Sequence, residues 1–214
     1  VEDPYPSDWL IDTGVHVNSK LPSNPTFICI AIKPQIIPQI LPKFSHYGNG
    51  QVVFLSVAAG VTISCFQSLL GQKTPIIRAM PNTPAEIGLG ITAKIANKNV
   101  SKDAFEVAGN LLSAIGEVVS LNSEDQMDAV TGLSGSGPAY VFYLIDALAA
   151  AGHKQGLDKE LAMKLAKMTV LGGGKLAASS TAVPEKLRVN VTSPNGTTEA
   201  GLNILMNSEN GLGP

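Results

Sequence analysis

The stretch VVFLSVAAGVT, residues 52–62, contains a candidate strand, a turn and the start of a helix in direct succession. Its first part is almost continuously apolar, as expected for a strand buried on both faces of a parallel sheet. The small residues Ala58, Ala59 and Gly60 end the strand, and Thr62 is a suitable N-cap for the following helix. A strand that leads directly into a helix is the building unit of an α/β fold.

The segments on either side repeat this pattern. Residues 27–32 and 75–80 are further apolar runs, and residues 90–93 and 118–121 are weaker candidate strands. A helix capped by Ser101 is predicted between the last two. We therefore predict an open α/β sheet in a first domain that covers residues 1–121.

The segment after Leu121 has no strand pattern, and its periodicity is helical. Ser123 and Gln126 are spaced as in a capping box, in which each side chain bonds the other residue's backbone N–H group. Three glycines between residues 132 and 137 are expected to interrupt that helix before a new one begins at Pro138. The run 139–151 is apolar nearly all round, so we expect a partner subunit to cover part of it. These features predict an all-α second domain over residues 122–214.

The composition excludes several classes of protein. Hydrophobic residues make up 44% of the chain and charged residues 15%, which is typical of a globular protein. The formal net charge of −2 provides no basic field, so neither nucleic acid nor a membrane surface is an expected partner. Cys29 and Cys65 have no ligand at a metal spacing, which predicts no metal site and favours a reducing cytoplasm. The missing initiator Met suggests that further residues precede Val1.

Two loops of the first domain are candidate cofactor contacts. Ligands of open α/β sheets bind outside the carboxyl ends of the strands, where residues 31–34 and 57–60 are expected. Small residues there let a flat cofactor approach the backbone, although they are equally compatible with a plain tight turn. No G-x-G-x-x-G loop, which would hold a pyrophosphate, occurs in this chain. Asp3 could accept the ribose hydroxyl of NAD, but Asp-Pro is also an ordinary turn.

Hydroxyl side chains are concentrated in residues 190–198, just before a predicted helix. The first N–H groups and the positive end of the helix dipole favour an anion, and Ser193, Thr197 and Thr198 can add hydrogen bonds to a carboxylate. Simple capping is the alternative, but four hydroxyls in this segment exceed what one cap needs. The segment Met80–Pro84, stiffened by two prolines, is either a polar rim of a site or a rigid connector.

Five motifs in this sequence resemble those of pyrroline-5-carboxylate reductase. They are IKPQ at 32–35, AAGVT at 58–62, RAMPNTP at 78–84, MDAVTGLSGSGPAY at 127–140 and VTSPNGTT at 191–198. They occur in the family's order over nearly the whole chain. The fourth and fifth motifs are the most specific, so chance similarity is remote.

The resemblance implies a Rossmann-like N-terminal domain, a helical dimerisation domain and NAD(P)H-dependent reduction of 1-pyrroline-5-carboxylate to L-proline, the last step of proline biosynthesis. Homodimers of this family often assemble further, commonly into decamers. The cofactor, NADPH or NADH, would contact the two loops at Ala31, Ile32, Lys33, Pro34, Ala58, Ala59 and Gly60. Substrate or proline would be held by Glu124, Asn190, Ser193, Gly196, Thr197 and Thr198. Thr198 would bond the ring nitrogen that gains a proton, and Glu124 would face the cationic iminium.

The chain also departs from the family. The first strand and its glycine loop are missing, the C-terminus is predicted to be truncated, and Asn195 stands where the family usually has Gly. Two alternatives stay open: a non-catalytic dimeric relative that lost the cofactor loop, and a hydroxy-acid dehydrogenase. The second would need a catalytic Lys where this chain has residues 132–137, which contain none.

Overall fold

The computed structural model describes residues 1–212, which fall into two compact units. The first unit is Val1–Pro138, and the second begins at Ala139 and contains the rest of the described residues. Whether the domain boundary lies after Leu121, as the strand pattern suggests, stays a prediction.

The first unit is built on a mixed β-sheet. Within the described residues its strands are β1 (Phe27–Ile30), β2 (Val53–Ser56), β3 (Ile76–Met80), β4 (Gly90–Ala96) and β5 (Gly116–Ser120), in that spatial order. Strands β1 to β3 are parallel to one another, and so are β4 and β5. Strand β4 runs antiparallel to β3, because residues 81–89 are too few for the crossover that parallel neighbours need. The predicted open α/β sheet is thus confirmed.

Helices pack on both faces of this sheet. Those of the first unit are α1 (Asp8–Asp12), α2 (Ile37–Ile40), α3 (Ile63–Leu70), α4 (Lys102–Ser113) and α5 (Gln126–Val130). Short 3-10 helices lie at Pro34–Ile36, Leu41–Tyr47 and Thr83–Ile87. Thr62 caps α3 by accepting from Cys65 N at 3.2 Å, and Ser101 caps α4 by accepting from Ala104 N at 3.2 Å. Both caps were predicted from the sequence.

Each face of the sheet carries its own apolar core. Successive side chains of a strand point to opposite faces, so Phe54 packs with Phe66 of α3 while Leu55 packs with Leu112 of α4. This two-sided burial explains why the strand sequences are apolar runs rather than alternating patterns.

The glycine-rich segment before Pro138 differs from its prediction. Residues Thr131–Gly135 form a π-helical turn that follows α5, and helix α6 begins at Gly137, so the glycines widen the helix instead of breaking it. A Cβ at Gly135 would lie 2.6 Å from Cε of Met80, so glycine permits close approach there. The capping box is half formed: Gln126 Oε1 accepts from Ser123 N at 3.3 Å, but Ser123 Oγ accepts from Asp125 N.

The second unit consists of helices. They are α6 (Gly137–Lys154), whose first two residues belong to the first unit, α7 (Lys159–Ser179), α8 (Pro184–Asn190) and α9 (Thr197–Leu205). Asp158 caps α7 by accepting from Glu160 N at 3.0 Å. Helix α6 exposes large apolar side chains, among them Tyr140, Phe142 and Tyr143. Among the described residues, no helix has both the length and the hydropathy required to cross a bilayer.

Candidate active site

The two predicted cofactor loops leave the same edge of the sheet. Strands β1 and β2 are parallel, with Ile30 level with Ser56, so their carboxyl ends lie side by side. Val57 N donates to Ile30 O at 3.1 Å, which ties the start of the second loop to the end of the first strand. In the first loop Ala31 and Lys33 are exposed, whereas Ile32 and Pro34 are half-buried. The structure therefore brings together the cofactor residues predicted from separate motifs.

A buried serine shapes the loop Ala58–Gly60. Ser56 is fully buried at the end of β2, and its Oγ accepts from Ala58 N at 3.2 Å. Ala58 is buried, while Ala59 and Gly60 are exposed and present little more than backbone. Gly60 has φ of +72°, a conformation that favours glycine. The sequence analysis missed Ser56, although a single hydroxyl inside an apolar strand was a usable signal.

Glu124 is held within the first unit by two contacts on one oxygen. Its Oε1 accepts from Arg78 Nη1 at 2.8 Å and from Ile63 N, the first residue of α3, also at 2.8 Å. The Arg78 side chain is only 4% exposed, and that of Glu124 is 28% exposed. The role of Glu124 as a substrate contact stays a prediction. Arg78 was missed as a site residue, although it was a charged residue within an apolar run.

Asn82 connects the segment after β3 to the π-helical turn. Its Nδ2 donates to Ser134 O at 3.1 Å, and its Oδ1 accepts from Ile91 N at 2.9 Å. Both ends of the amide are thus bonded inside the protein. This geometry favours the rigid connector over the polar rim as the interpretation of Met80–Pro84.

A tight turn precedes α9 in the second unit. Gly196 N donates to Ser193 O at 3.1 Å, and Asn195 adopts φ of +59°. With Pro194 before it, this is the pattern of a type II turn, whose third residue needs a positive φ. Asn is among the few side chains that tolerate this conformation, so the departure from the family's usual glycine preserves the turn.

The amino end of α9 offers groups for an anion. Gly196 is the N-cap, has no side chain, and leaves the first turn without a side-chain cap. Ser193, Thr197 and Thr198 are exposed around it, and Asn190, the last residue of α8, is exposed as well. The free N–H groups and the helix dipole at this end attract negative charge.

Two neighbouring side chains are already engaged. Thr192 Oγ1 donates to Arg188 O at 2.7 Å, so this hydroxyl is bonded to a carbonyl at the carboxyl end of α8. Glu199 Oε2 accepts from Asn195 N at 2.7 Å and so holds the turn from inside the first turn of α9. The predicted substrate residues are therefore divided between the units: Glu124 belongs to the first and the others to the second.

The residues at the sheet edge fit a nicotinamide cofactor. Both loops lie at the carboxyl ends of parallel strands, where such cofactors bind, and Ala59 and Gly60 present accessible backbone. The amino end of α3 does not fit a phosphate, since the Glu124 carboxylate already accepts from Ile63 N there. Within residues 1–212, no group of three or more His, Cys, Asp or Glu side chains is placed to hold a metal ion.

Comparison with known proteins identifies the family. Residues 124–212 match the family model for pyrroline-5-carboxylate reductase dimerisation. The pyrroline-5-carboxylate reductase of Pseudomonas aeruginosa is 41% identical over 195 residues, covering 91% of this chain and 71% of that protein. The chain belongs to the pyrroline-5-carboxylate reductase family. Its membership confirms the resemblance drawn from the five motifs and the predicted oxidoreductase class.

Solved structures of this family have the same fold. The enzyme from Coxiella burnetii is similar with a TM-score of 0.83 and 36% identity, covering 91% of this chain and 74% of that one. Pyrroline carboxylate reductase from Plasmodium falciparum, solved with NADP bound, has a TM-score of 0.83 and 28% identity, with coverages of 96% and 77%. These similarities confirm the Rossmann-like domain followed by helices, and the dimerisation model confirms homo-oligomerisation.

Proposed function

We propose that this chain reduces 1-pyrroline-5-carboxylate to L-proline with NADPH or NADH. The observation that carries the proposal is the amino end of α9, where a glycine N-cap leaves N–H groups free beside the exposed hydroxyls of Thr197 and Thr198. Membership of the reductase family favours this function over a non-catalytic relative.

The carboxylate of the substrate would bind at the start of α9. The N–H groups of Thr197 and Thr198 and the helix dipole stabilise a small carboxylate, and the Ser193 hydroxyl can donate to it. Gly196 allows close approach because it has no side chain. The Asn190 amide would bond the remaining polar edge of the ligand. These bonds to the carboxylate and to the polar edge would fix the orientation of the substrate ring. Orienting the substrate is the main contribution that a protein makes to a hydride transfer.

Thr198 is the proposed catalytic residue. When bound, the reduced nicotinamide supplies the hydride that adds to the imine carbon. The nitrogen of the cationic iminium form already carries a proton, so hydride addition gives the secondary amine. The Thr198 hydroxyl can donate a hydrogen bond to the lone pair that this nitrogen gains. The cofactor would lie at the sheet edge, held by the backbone of Ala59 and Gly60 and by the side chains of Ile32 and Lys33. The other residues of the two loops, Ala31, Pro34 and Ala58, would complete its binding surface.

A kinetic comparison of three variants tests the role of Thr198. Thr198→Ala should lower kcat by about 10²-fold, the usual contribution of one positioned acid-base group, and Thr198→Ser should recover much of it. Thr192→Ala is the matched control, since its hydroxyl is bonded to Arg188 O and should leave kcat unchanged. The assay is the oxidation of NADPH by the full chain on addition of pyrroline-5-carboxylate. A kcat for Thr198→Ala within twofold of the wild type would remove Thr198 from the mechanism.

The assembly and location belong to the same proposal. We infer a homodimer, with larger rings such as a decamer built from it, because α6 and α7 expose large apolar side chains to a second copy. The two free cysteines are consistent with the cytoplasm, and the net charge of −2 provides no basic field for nucleic acid. Light scattering of the eluted protein gives the number of copies.

A further inference from the structure

A buried arginine lies on the face of the sheet that packs against α3. Arg78 of β3 is level with Ser56 of β2, the residue whose Oγ shapes the Ala58–Gly60 loop. A buried guanidinium requires a charged partner, because an unpaired charge in the interior is strongly destabilising. Glu124 provides that partner at 2.8 Å, from the segment that follows β5.

The same carboxylate oxygen also fixes the far end of the cofactor loop. Ile63 N donates to Glu124 Oε1 at 2.8 Å, and Ile63 follows Gly60 by only two intervening residues. The near end of the loop is fixed by Ser56 Oγ and Ile30 O. The Ala58–Gly60 loop is thus held at both ends, and its far end, next to Ile63, depends on Glu124.

These contacts connect Glu124 to the cofactor loop within the first unit. Glu124, Arg78 and the Ala58–Gly60 loop all belong to the first unit, whereas Thr197 and Thr198 belong to the second. Within residues 1–212, the contacts of Glu124 with Arg78 and Ile63 both use Oε1, which makes it a structural anchor for α3.

We propose that Arg78 and Glu124 are positioning residues that set the Ala58–Gly60 loop for the nicotinamide cofactor. We call this ion pair, together with its bond to Ile63 N, the Arg78–Glu124 clasp. The inference rests on the proposed function and refines it, because it assigns Glu124 to cofactor affinity instead of substrate contact.

Glu124→Gln is the direct test. It should raise KM for NADPH by about tenfold, since small displacements of positioning groups have effects of this size, while kcat at saturating NADPH and KM for pyrroline-5-carboxylate stay within about threefold. The dissociation constant of NADPH, measured by fluorescence titration without substrate, should rise in parallel. The dissociation constant of proline should not change.

Two further variants separate positioning from simple destabilisation. Arg78→Met combined with Glu124→Gln removes both charges without leaving one unpaired in the interior, so it should fold and still show the weaker NADPH binding. Leu112→Ala, in the core on the other face of the sheet, should lower the Tm and leave KM for NADPH unchanged. The clasp proposal is overturned if the double variant binds NADPH like the wild type. It is equally overturned if Glu124→Gln weakens proline binding and not NADPH binding.

The binding measurement keeps this proposal distinct from the proposed function. A wild-type chain that binds NADPH but does not oxidise it would refute the reductase activity, and the clasp would still be judged by NADPH affinity. A wild-type chain that binds neither NADPH nor NADH would refute both.

Discussion

The two units of this protein bury their apolar residues to very different extents. In the first unit large side chains such as Phe54, Phe66 and Ile76 are fully buried, whereas the buried apolar residues of the second, among those described, are Ala149, Ala162 and Ala166. A sheet covered by helices on both faces completes its own core. A small set of helices with exposed apolar side chains does not complete a core of its own, so we expect a partner copy to supply much of the second unit's stability.

Phe54→Ala should give the largest effect, and it should be confined to the first unit. Phe54 is 0% exposed, so its truncation leaves a cavity and should lower the free energy of unfolding by about 3–5 kcal/mol. Because this core lies within one chain, the loss should be the same at all protein concentrations. Urea titrations at two concentrations measure it. A loss that shrinks as the protein is concentrated would show that the first unit, too, is stabilised by association.

The parts of this fold that the sequence predicted are set by local interactions. The strand, turn and helix at residues 52–62 follow from an apolar run, small residues and a Thr cap, all adjacent in the chain. The cap of α4 by Ser101 was predicted in the same way, since the donor Ala104 N is only three residues further along the chain. The grouping of exposed hydroxyls at the start of α9 was predictable for the same reason, since the helix end and these side chains are neighbours in sequence.

The parts that the sequence did not predict depend on distant partners. Arg78 and Glu124 are 46 positions apart, and nothing in either local pattern indicates that they meet. Asn82 and Ser134 are 52 positions apart, so the hydrogen bond between them could not be predicted from the sequence either. In the predicted capping box, Gln126 Oε1 accepts from Ser123 N as expected, but Ser123 Oγ accepts from Asp125 N instead of from Gln126 N. Several N–H donors within one turn compete for the same hydroxyl.

Phe142→Ala should give the next largest effect and should act on association instead of on the single chain. Phe142 on α6 is 59% exposed, so its truncation opens no cavity in the chain itself. An aromatic side chain at a subunit contact commonly contributes more than 1 kcal/mol, so the dimer dissociation constant should rise by about tenfold or more. Analytical ultracentrifugation measures this constant. Val107→Ala, an exposed apolar residue of the first unit, is the control, and an equal effect of both variants would abolish the contrast between the units.

Lys94→Met should give the smallest effect, and the dependence of this effect on pH should appear only in alkaline solution. Lys94 on β4 is 6% exposed, lies over the Phe105 ring and donates to Phe105 O at 2.5 Å. Burial lowers the pKa of Lys94 below its usual 10.5, and the nearby Glu106 carboxylate partly opposes this shift. Between the folded-state pKa and 10.5 the unfolded chain binds more protons, so the stability of the wild type should rise with pH through that window.

The measured quantity is the difference in free energy of unfolding between the wild type and Lys94→Met, followed from neutral pH to above 10.5. Lys98→Met, which removes an exposed positive charge just after β4, controls for net charge. The rise should be independent of protein concentration, because Lys94 is buried inside the self-sufficient first unit. A difference that stays flat over this range would mean that the ring and carbonyl of Phe105 fully compensate for the burial of the ammonium group.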